Sequence, residues 1–299
     1  MTSVRWAFRC GSWTPSRSDW LFAARCIQQE EKDRIGQFVF AKDAKSAMAG
    51  RLLLRRFVCE RMGIPWSEIR LKRSPRGKPY LDAPLKVSPD SDKSWNFNIS
   101  HQGDYAVLAA EQGMQVGVDV MKTTMPGSSS VPEFFRIMTR QFTEYESSTI
   151  QSVGSEHQQL VAFYRHWALK ESFIKAIGTG LGFNLQRVEF HLSPEVLMQG
   201  KVLRQTRMHL DEEEEEDWVF EESLLDADHH VAVALGQADK PDADPLHLSL
   251  PPPTTFALLS FSELIASASP LTEEDPAYWE SFQIKAESTQ RQRDTHTFP

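Results

Sequence analysis

Residues 96–120 read NFNISHQGDYAVLAAEQGMQVGVDV. Three short apolar runs, 96–100, 105–110 and 116–120, are punctuated by Gln102-Gly103 and Gln112-Gly113, which predicts three strands joined as a meander. The last run, Gly117-Val118-Asp119-Val120, puts a carboxylate inside an apolar strand. An ionised side chain there is costly unless a cation or hydrogen bonds compensate it, although an aspartate closing a strand at a turn would read the same way. Helical patterns follow over 133–139, 144–152 and 160–177, with 178–182 ending the last. Strands are expected at 188–191, near 201–210, at 218–224 and at 230–235. Strands, then helices, then strands again make this part of the chain α+β.

Upstream, a strand is expected at 4–8, with helices around 20–27, 29–38 and 43–62. Asp43 is placed to cap the long helix, and Gly63 with Pro65 stops it. Its Arg51, Arg55 and Arg56 read as a solvated face or as a docking surface for an acidic partner. Residues 88–94 are rich in Ser, Asp and Pro and mark a loop between halves. The organisation expected is therefore a half over 1–94, a second half over 95–236 and a Pro-rich extension over 237–299. In that extension 256–265 packs back on the body and the end, from about residue 289, is disordered. The acidic run 211–217 reads as a solvated hairpin loop, since it lacks the alternating ligands of a calcium loop.

Composition narrows the class. Over 299 residues the chain is 40% hydrophobic and 25% charged, as an ordinary globular protein is. With 33 Lys and Arg against 41 Asp and Glu the net charge is -8, which argues against a nucleic-acid binder. Cys10, Cys26 and Cys59 have neither disulfide nor zinc spacing and read as reduced packing residues. No leader-like apolar stretch occupies residues 1–9 and no run is long enough to span a bilayer, so a cytosolic protein without membrane contact is expected.

Chemistry concentrates in four segments. In Trp167-Ala168-Leu169-Lys170-Glu171-Ser172-Phe173-Ile174-Lys175, the residues Trp167, Glu171 and Lys175 share a helix face; alone, that is an ordinary Glu-to-Lys surface pair. Asp119 and Glu171 together offer the two hard oxygens that magnesium takes from protein. Asn98-Ile99-Ser100-His101 closes a strand with small hydrogen-bonding groups, and Arg73-Ser74-Pro75-Arg76-Gly77-Lys78-Pro79 sets three cations around a turn. Both suit phosphates, though each taken singly is equally an ordinary turn.

In this order the four segments resemble the marks of the 4'-phosphopantetheinyl transferase superfamily. The resemblance runs from about residue 4 to about residue 235, and Arg34-Ile35-Gly36-Gln37-Phe38 and Phe163-Tyr164-Arg165 are similar to its animal cytosolic branch. It implies a pseudo-dimer of two similar α/β halves with the active site in the cleft between them. Coenzyme A would be bound by Arg34, by Arg73, Ser74, Pro75, Arg76, Gly77 and Lys78, and by Asn98, Ile99, Ser100 and His101. Asp119 and Glu171 would hold magnesium, Lys175 would touch the phosphates, and Glu171 would be the general base. The implied reaction moves the 4'-phosphopantetheine arm of coenzyme A to a serine of an apo acyl carrier protein and releases adenosine 3',5'-bisphosphate. The implied carriers include fatty-acid synthase and the aminoadipate-semialdehyde and formyltetrahydrofolate dehydrogenases, and the implied state is a monomer. Many bacterial relatives carry another acid two residues beyond the aspartate, where this chain has Met121, so water or Gln102 would complete the metal shell. Two rival readings use the same residues: a hydrolase of a nucleotide pyrophosphate, and a silent module that binds coenzyme A or a carrier.

Overall fold

A computed structural model describes residues 3–82, 94–237 and 250–289. In chain order its elements are β1 (Val4–Phe8), α1 (Arg17–Arg25), α2 (Gln29–Gly36), α3 (Ala41–Met62), β2 (Leu71–Arg73), β3 (Pro79–Leu81), β4 (Trp95–Gln102), β5 (Tyr105–Gln112), β6 (Met114–Lys122), α4 (Val131–Met138), α5 (Glu144–Ser152) and α6 (Glu156–Ile177). Then come β7 (Val188–His191), β8 (Arg207–Leu210), β9 (Glu213–Glu214), β10 (Trp218–Asp226), β11 (His229–Gln237), β12 (Ala257–Leu258), α7 (Phe261–Leu264) and α8 (Pro276–Gln283). The chain divides into two compact units, one of residues 1–5, 87–103 and 108–257, the other of residues 6–86, 104–107 and 258–299. The loop expected at 88–94 falls almost wholly, and the disordered end wholly past its first residue, outside the described residues.

In the first unit, β10, β11 and β6 form an antiparallel sheet in that order, with Asp119 opposite Ala232 and Val118 opposite Val233. A meander would pair β6 with β5; its ladder is instead with β11. Polar side chains of β4 join it to β6. Asn96 Nδ2 donates to the Met114 carbonyl (2.6 Å), the Val118 amide donates to Asn98 Oδ1 (2.9 Å), and the Lys122 amide donates to Gln102 Oε1 (2.6 Å). Alternate residues of a strand share a face, so the Asn-x-Asn-x-Ser-x-Gln pattern satisfies β6 with side chains where a backbone ladder would otherwise run.

Helix α6 packs across β6 and β11. It starts at a capping box in which Ser155 and Gln158 satisfy each other's amides, one turn before the expected residue 160, and ends at Gly178 in the left-handed region (φ 72°). Gly117 sets how close it lies: a Cβ there would stand 1.9 Å from the Ser172 carbonyl oxygen and 2.6 Å from the Ala176 amide nitrogen. Below it, Leu169 and Phe173 pack with Val188, Phe190, Met208 and Phe220 as a buried core, each such side chain contributing roughly 1.5–3 kcal/mol. The strand expected near 201–210 contracts to β8, preceded by one isolated pairing of Leu203 with Glu222. The acidic run does form a hairpin, turning at Asp211 and Glu212 (φ 51° and 72°) and returning through β9.

In the second unit, α1 to α3 pack with α7 and α8. Asp43 is not the cap of α3: Phe40 holds that position without a side-chain bond, and Asp43 lies in the first turn. The amides of Ala41 and Lys42 donate to the carbonyls of Ala286 and Glu287 (2.9 and 3.2 Å). Trp20, 1% exposed, stacks on Tyr278 and Phe282. Arg51 and Arg55 are buried at 3% and 1%, which removes them from any docking face; Arg55 donates to the carbonyls of Trp66 and Ile69. Among the described residues, no helix is long and apolar enough to cross a membrane.

Candidate active site

Asp119 lies in β6 at 6% exposure. Its Oδ1 accepts from Ser100 Oγ (3.1 Å) and from Lys175 Nζ (3.3 Å), whereas its Oδ2 is buried and accepts no hydrogen bond from the described residues. Burial pushes the carboxyl upward in pKa, against the pull of Lys175 and Ser100. Glu171, one turn before Lys175 on α6, is half-buried, and its pKa is also raised, by burial first and by the Asp119 charge second, with Lys175 opposing. Two carboxylates that are both raised, Glu171 partly by the charge of Asp119 and Asp119 with an orphaned buried oxygen, are a site short of positive charge. An all-oxygen pair of this kind fits a hard divalent cation such as Mg2+.

The same geometry sorts the signature helix into chemical and structural residues. Lys175 spans β4 and β6, donating to the carbonyls of Ile99 (3.4 Å) and Val118 (3.2 Å) as well as to Asp119. Ser172 is fully buried and bonds back to the Leu169 carbonyl, in the turn that faces Gly117. Trp167 packs on Phe142 and Phe163. Lys170 points away from solvent entirely: at 0% exposure it meets Glu146 Oε1 (2.7 Å) and the carbonyls of Leu185 (2.7 Å) and Val188 (2.5 Å). Asn98 and Ser100 join the Asp119 cluster from one face of β4, while His101 follows on the other face and is exposed. Gln102 spends its amide oxygen on the Lys122 backbone.

A basic cluster occupies the second unit. Glu31 of α2 is surrounded by three arginines: Arg34 Nε (3.0 Å), Arg51 Nε (3.3 Å) and Arg73 Nε (3.2 Å). Burial works against its ionised form, but Arg51, Arg73 and Arg34 hold its pKa below the ordinary range. One carboxylate against three guanidiniums leaves local positive charge for an anion. Residues 74–78 form the tip of the β2–β3 hairpin, where the Gly77 amide donates to the Ser74 carbonyl (2.8 Å) and Gly77 takes φ 83°, with Arg76 exposed. Arg73 also donates to the Gly77 carbonyl (3.1 Å), tying the loop to Glu31. Sequence reading missed Glu31; its only signal was the three-residue spacing to Arg34.

Comparison with known proteins places these clusters in context. A family profile described as 4'-phosphopantetheinyl transferase, N-terminal, matches residues 11–113, and one described as the 4'-phosphopantetheinyl transferase superfamily matches residues 115–234. One profile per half agrees with an α+β pseudo-dimer. Similar proteins include the L-aminoadipate-semialdehyde dehydrogenase-phosphopantetheinyl transferases of Xenopus laevis, 56% identical across 98% of this chain and 96% of that one, and of Homo sapiens, 57% identical across 94% and 91%. A phosphopantetheinyl transferase of Thraustochytrium is 38% identical across 77% of each chain.

Proposed function

The chain belongs to the 4'-phosphopantetheinyl transferase superfamily, and from that membership we propose that it transfers the phosphopantetheine arm of coenzyme A to a serine of apo acyl carrier domains, releasing adenosine 3',5'-bisphosphate. The observation that carries the mechanism is the buried, unbonded Oδ2 of Asp119 beside Glu171 and Lys175. Asp119 and Glu171 would hold Mg2+, with waters completing its shell. When bound, that ion neutralises charge on the pyrophosphate of coenzyme A.

This chain's own groups do the remainder. Glu171, its pKa raised toward the working range, accepts the proton of the carrier's serine hydroxyl, directly or through a water, as the oxygen attacks the β-phosphorus. The serine oxygen–phosphorus bond forms while the bond from that phosphorus to the bridging oxygen breaks, and the electron pair leaves with the nucleotide. Lys175 offers its ammonium to the phosphates, and Ser100 and Asn98 keep Asp119 and β6 in place. Arg34, Arg73, Arg76 and Lys78 carry the anionic nucleotide, with Glu31 aligning the first two of these arginines.

The names of the vertebrate relatives make the carrier domain of aminoadipate-semialdehyde dehydrogenase the first substrate to try; the family resemblance of the sequence adds those of fatty-acid synthase and formyltetrahydrofolate dehydrogenase. We place the reaction in the cytosol, with a monomeric enzyme. The test is the intact mass of the apo carrier after incubation with enzyme, coenzyme A and Mg2+, with and without chelator. A Mg2+-dependent gain of one phosphopantetheine on the serine supports the reading. Coenzyme A consumed without carrier labelling would make the protein a hydrolase, and neither change would make it a binding module.

A further inference from the structure

We propose that Glu189, His191 and His209 form a separate site for a late first-row divalent cation of the Zn2+ class. Glu189 and His191 are two residues apart on β7 and so share a face, and the β7–β8 register puts His209 directly opposite Glu189. Their ligand atoms all lie within 4.8 Å of one another. His191 Nε2 is 2.7 Å from Glu189 Oε1, His209 Nδ1 is 4.0 Å from the same oxygen, and the two imidazole rings are 4.3 Å apart. Tetrahedral zinc with bonds of about 2.0–2.2 Å sets its ligands roughly 3.4 Å apart, a separation these distances straddle. Side-chain rotations of about 1 Å, with no backbone movement, therefore close the triad on an ion.

Supporting contacts match what such a site needs. The Thr143 side chain hydrogen bonds the Glu189 carboxylate, and the Tyr145 ring stacks on His191 at 4.2 Å, so two of the three ligands are oriented from outside the triad. The side chains are 26 to 31% exposed, and Glu189 and His209 line an open groove of ≈ 730 Å³ that gives an ion a way in. Two imidazoles and one carboxylate select zinc, nickel or copper over magnesium, the reverse of the all-oxygen pair at Asp119 and Glu171. Bound there, the ion ties the β7–β8 hairpin together beside the start of α5 and keeps a fourth position open for water.

The test uses the full chain stripped of metal with chelator and then dialysed against Zn2+ in excess Mg2+, metal content being read by mass spectrometry; Co2+ substitution supplies a visible spectrum. The expected result is one Zn2+ per chain, a Co2+ band of four-coordinate intensity, and at least about ten-fold weaker binding in both His209→Gln and Glu189→Gln. Both variants should keep the wild-type circular dichroism and the Mg2+-dependent transferase rate. Failure of the wild-type protein to retain zinc, or a wild-type zinc affinity in either variant, would overturn the proposal.

Discussion

Gly117→Ala tests whether the signature strand and helix work by close approach. The added methyl would lie 1.9 Å from the Ser172 carbonyl oxygen, 2.6 Å from the Ala176 amide nitrogen and 2.9 Å from the Ala176 Cβ. Carbon and oxygen tolerate about 3.3 Å, so α6 has to retreat roughly 1.4 Å at this point. The first two obstacles are backbone atoms, and no rotamer change relieves them. Overpacking of this kind costs about 1–3 kcal/mol, and the depth of the clash places it at the upper end. The chemical loss should be larger than the loss of stability. Lys175 reaches Val118, Asp119 and Ile99 at 3.2, 3.3 and 3.4 Å, already near the limit of a hydrogen bond, and a retreat of that size breaks all three. A displacement of about 1 Å in a positioned catalytic group costs on the order of 100-fold in rate. The assay pairs urea unfolding with the initial rate of carrier labelling at saturating coenzyme A. Gly113→Ala is the control: its φ of 70° strains an alanine, but no atom of the described residues lies within 4 Å of the added methyl, so it should lose about 1–2 kcal/mol and keep its rate. A Gly117→Ala protein that unfolds within about 0.5 kcal/mol of wild type and labels at full rate would refute the close-approach argument.

Glu171→Gln should lower kcat by about 100- to 10,000-fold while coenzyme A still binds in calorimetry, and full turnover would remove Glu171 from the role of base. His230, 5% exposed, has its pKa pushed down to about 4, by burial first and by Arg165 second, so the folded chain keeps it neutral where the unfolded chain protonates. The unfolded state then binds the extra proton, and stability falls as pH drops from about 6.5 to about 4, by roughly 3 kcal/mol in all. His230→Gln should flatten that part of the urea-midpoint profile, and an unchanged slope would exclude the residue. Ending the chain at Gln237 would remove Leu264 and Phe282 from the second unit, together with the carbonyls that receive the Ala41 and Lys42 amides. Burial and capping losses add to about 5 kcal/mol, which differential scanning calorimetry would register as a fall in Tm well beyond 10 °C.

Periodicity made most elements legible in the sequence, and local chemistry explains where their limits slipped. The start of α6 is written in Ser155 and Gln158, but a capping box precedes the apolar pattern that marks a helix, so apolar periodicity places the start one turn late. Asp43 suits an N-cap by residue type, yet α3 starts two residues before it, because the first amides, of Ala41 and Lys42, are met by the carbonyls of Ala286 and Glu287, some 240 residues away, where no local rule can reach. The residues that gather around Asp119 stood out in the sequence as a set, because four motifs in order are far more specific than any one of them. Their division of labour did not. Lys170 and Glu171 are neighbours in one motif and both charged; four-residue spacing groups Glu171 with Lys175 but gives no place to Lys170. The fold separates them by about 100° around α6: Glu171 faces Asp119 across the helix–strand contact that Gly117 permits, while Lys170 turns into the core to meet Glu146 and two carbonyls. A buried ammonium deprived of Glu146 would be strongly destabilising, so Lys170 is fixed by the fold it anchors, whereas Glu171, half-buried beside Asp119, has no ion pair of that kind to explain it among the described residues.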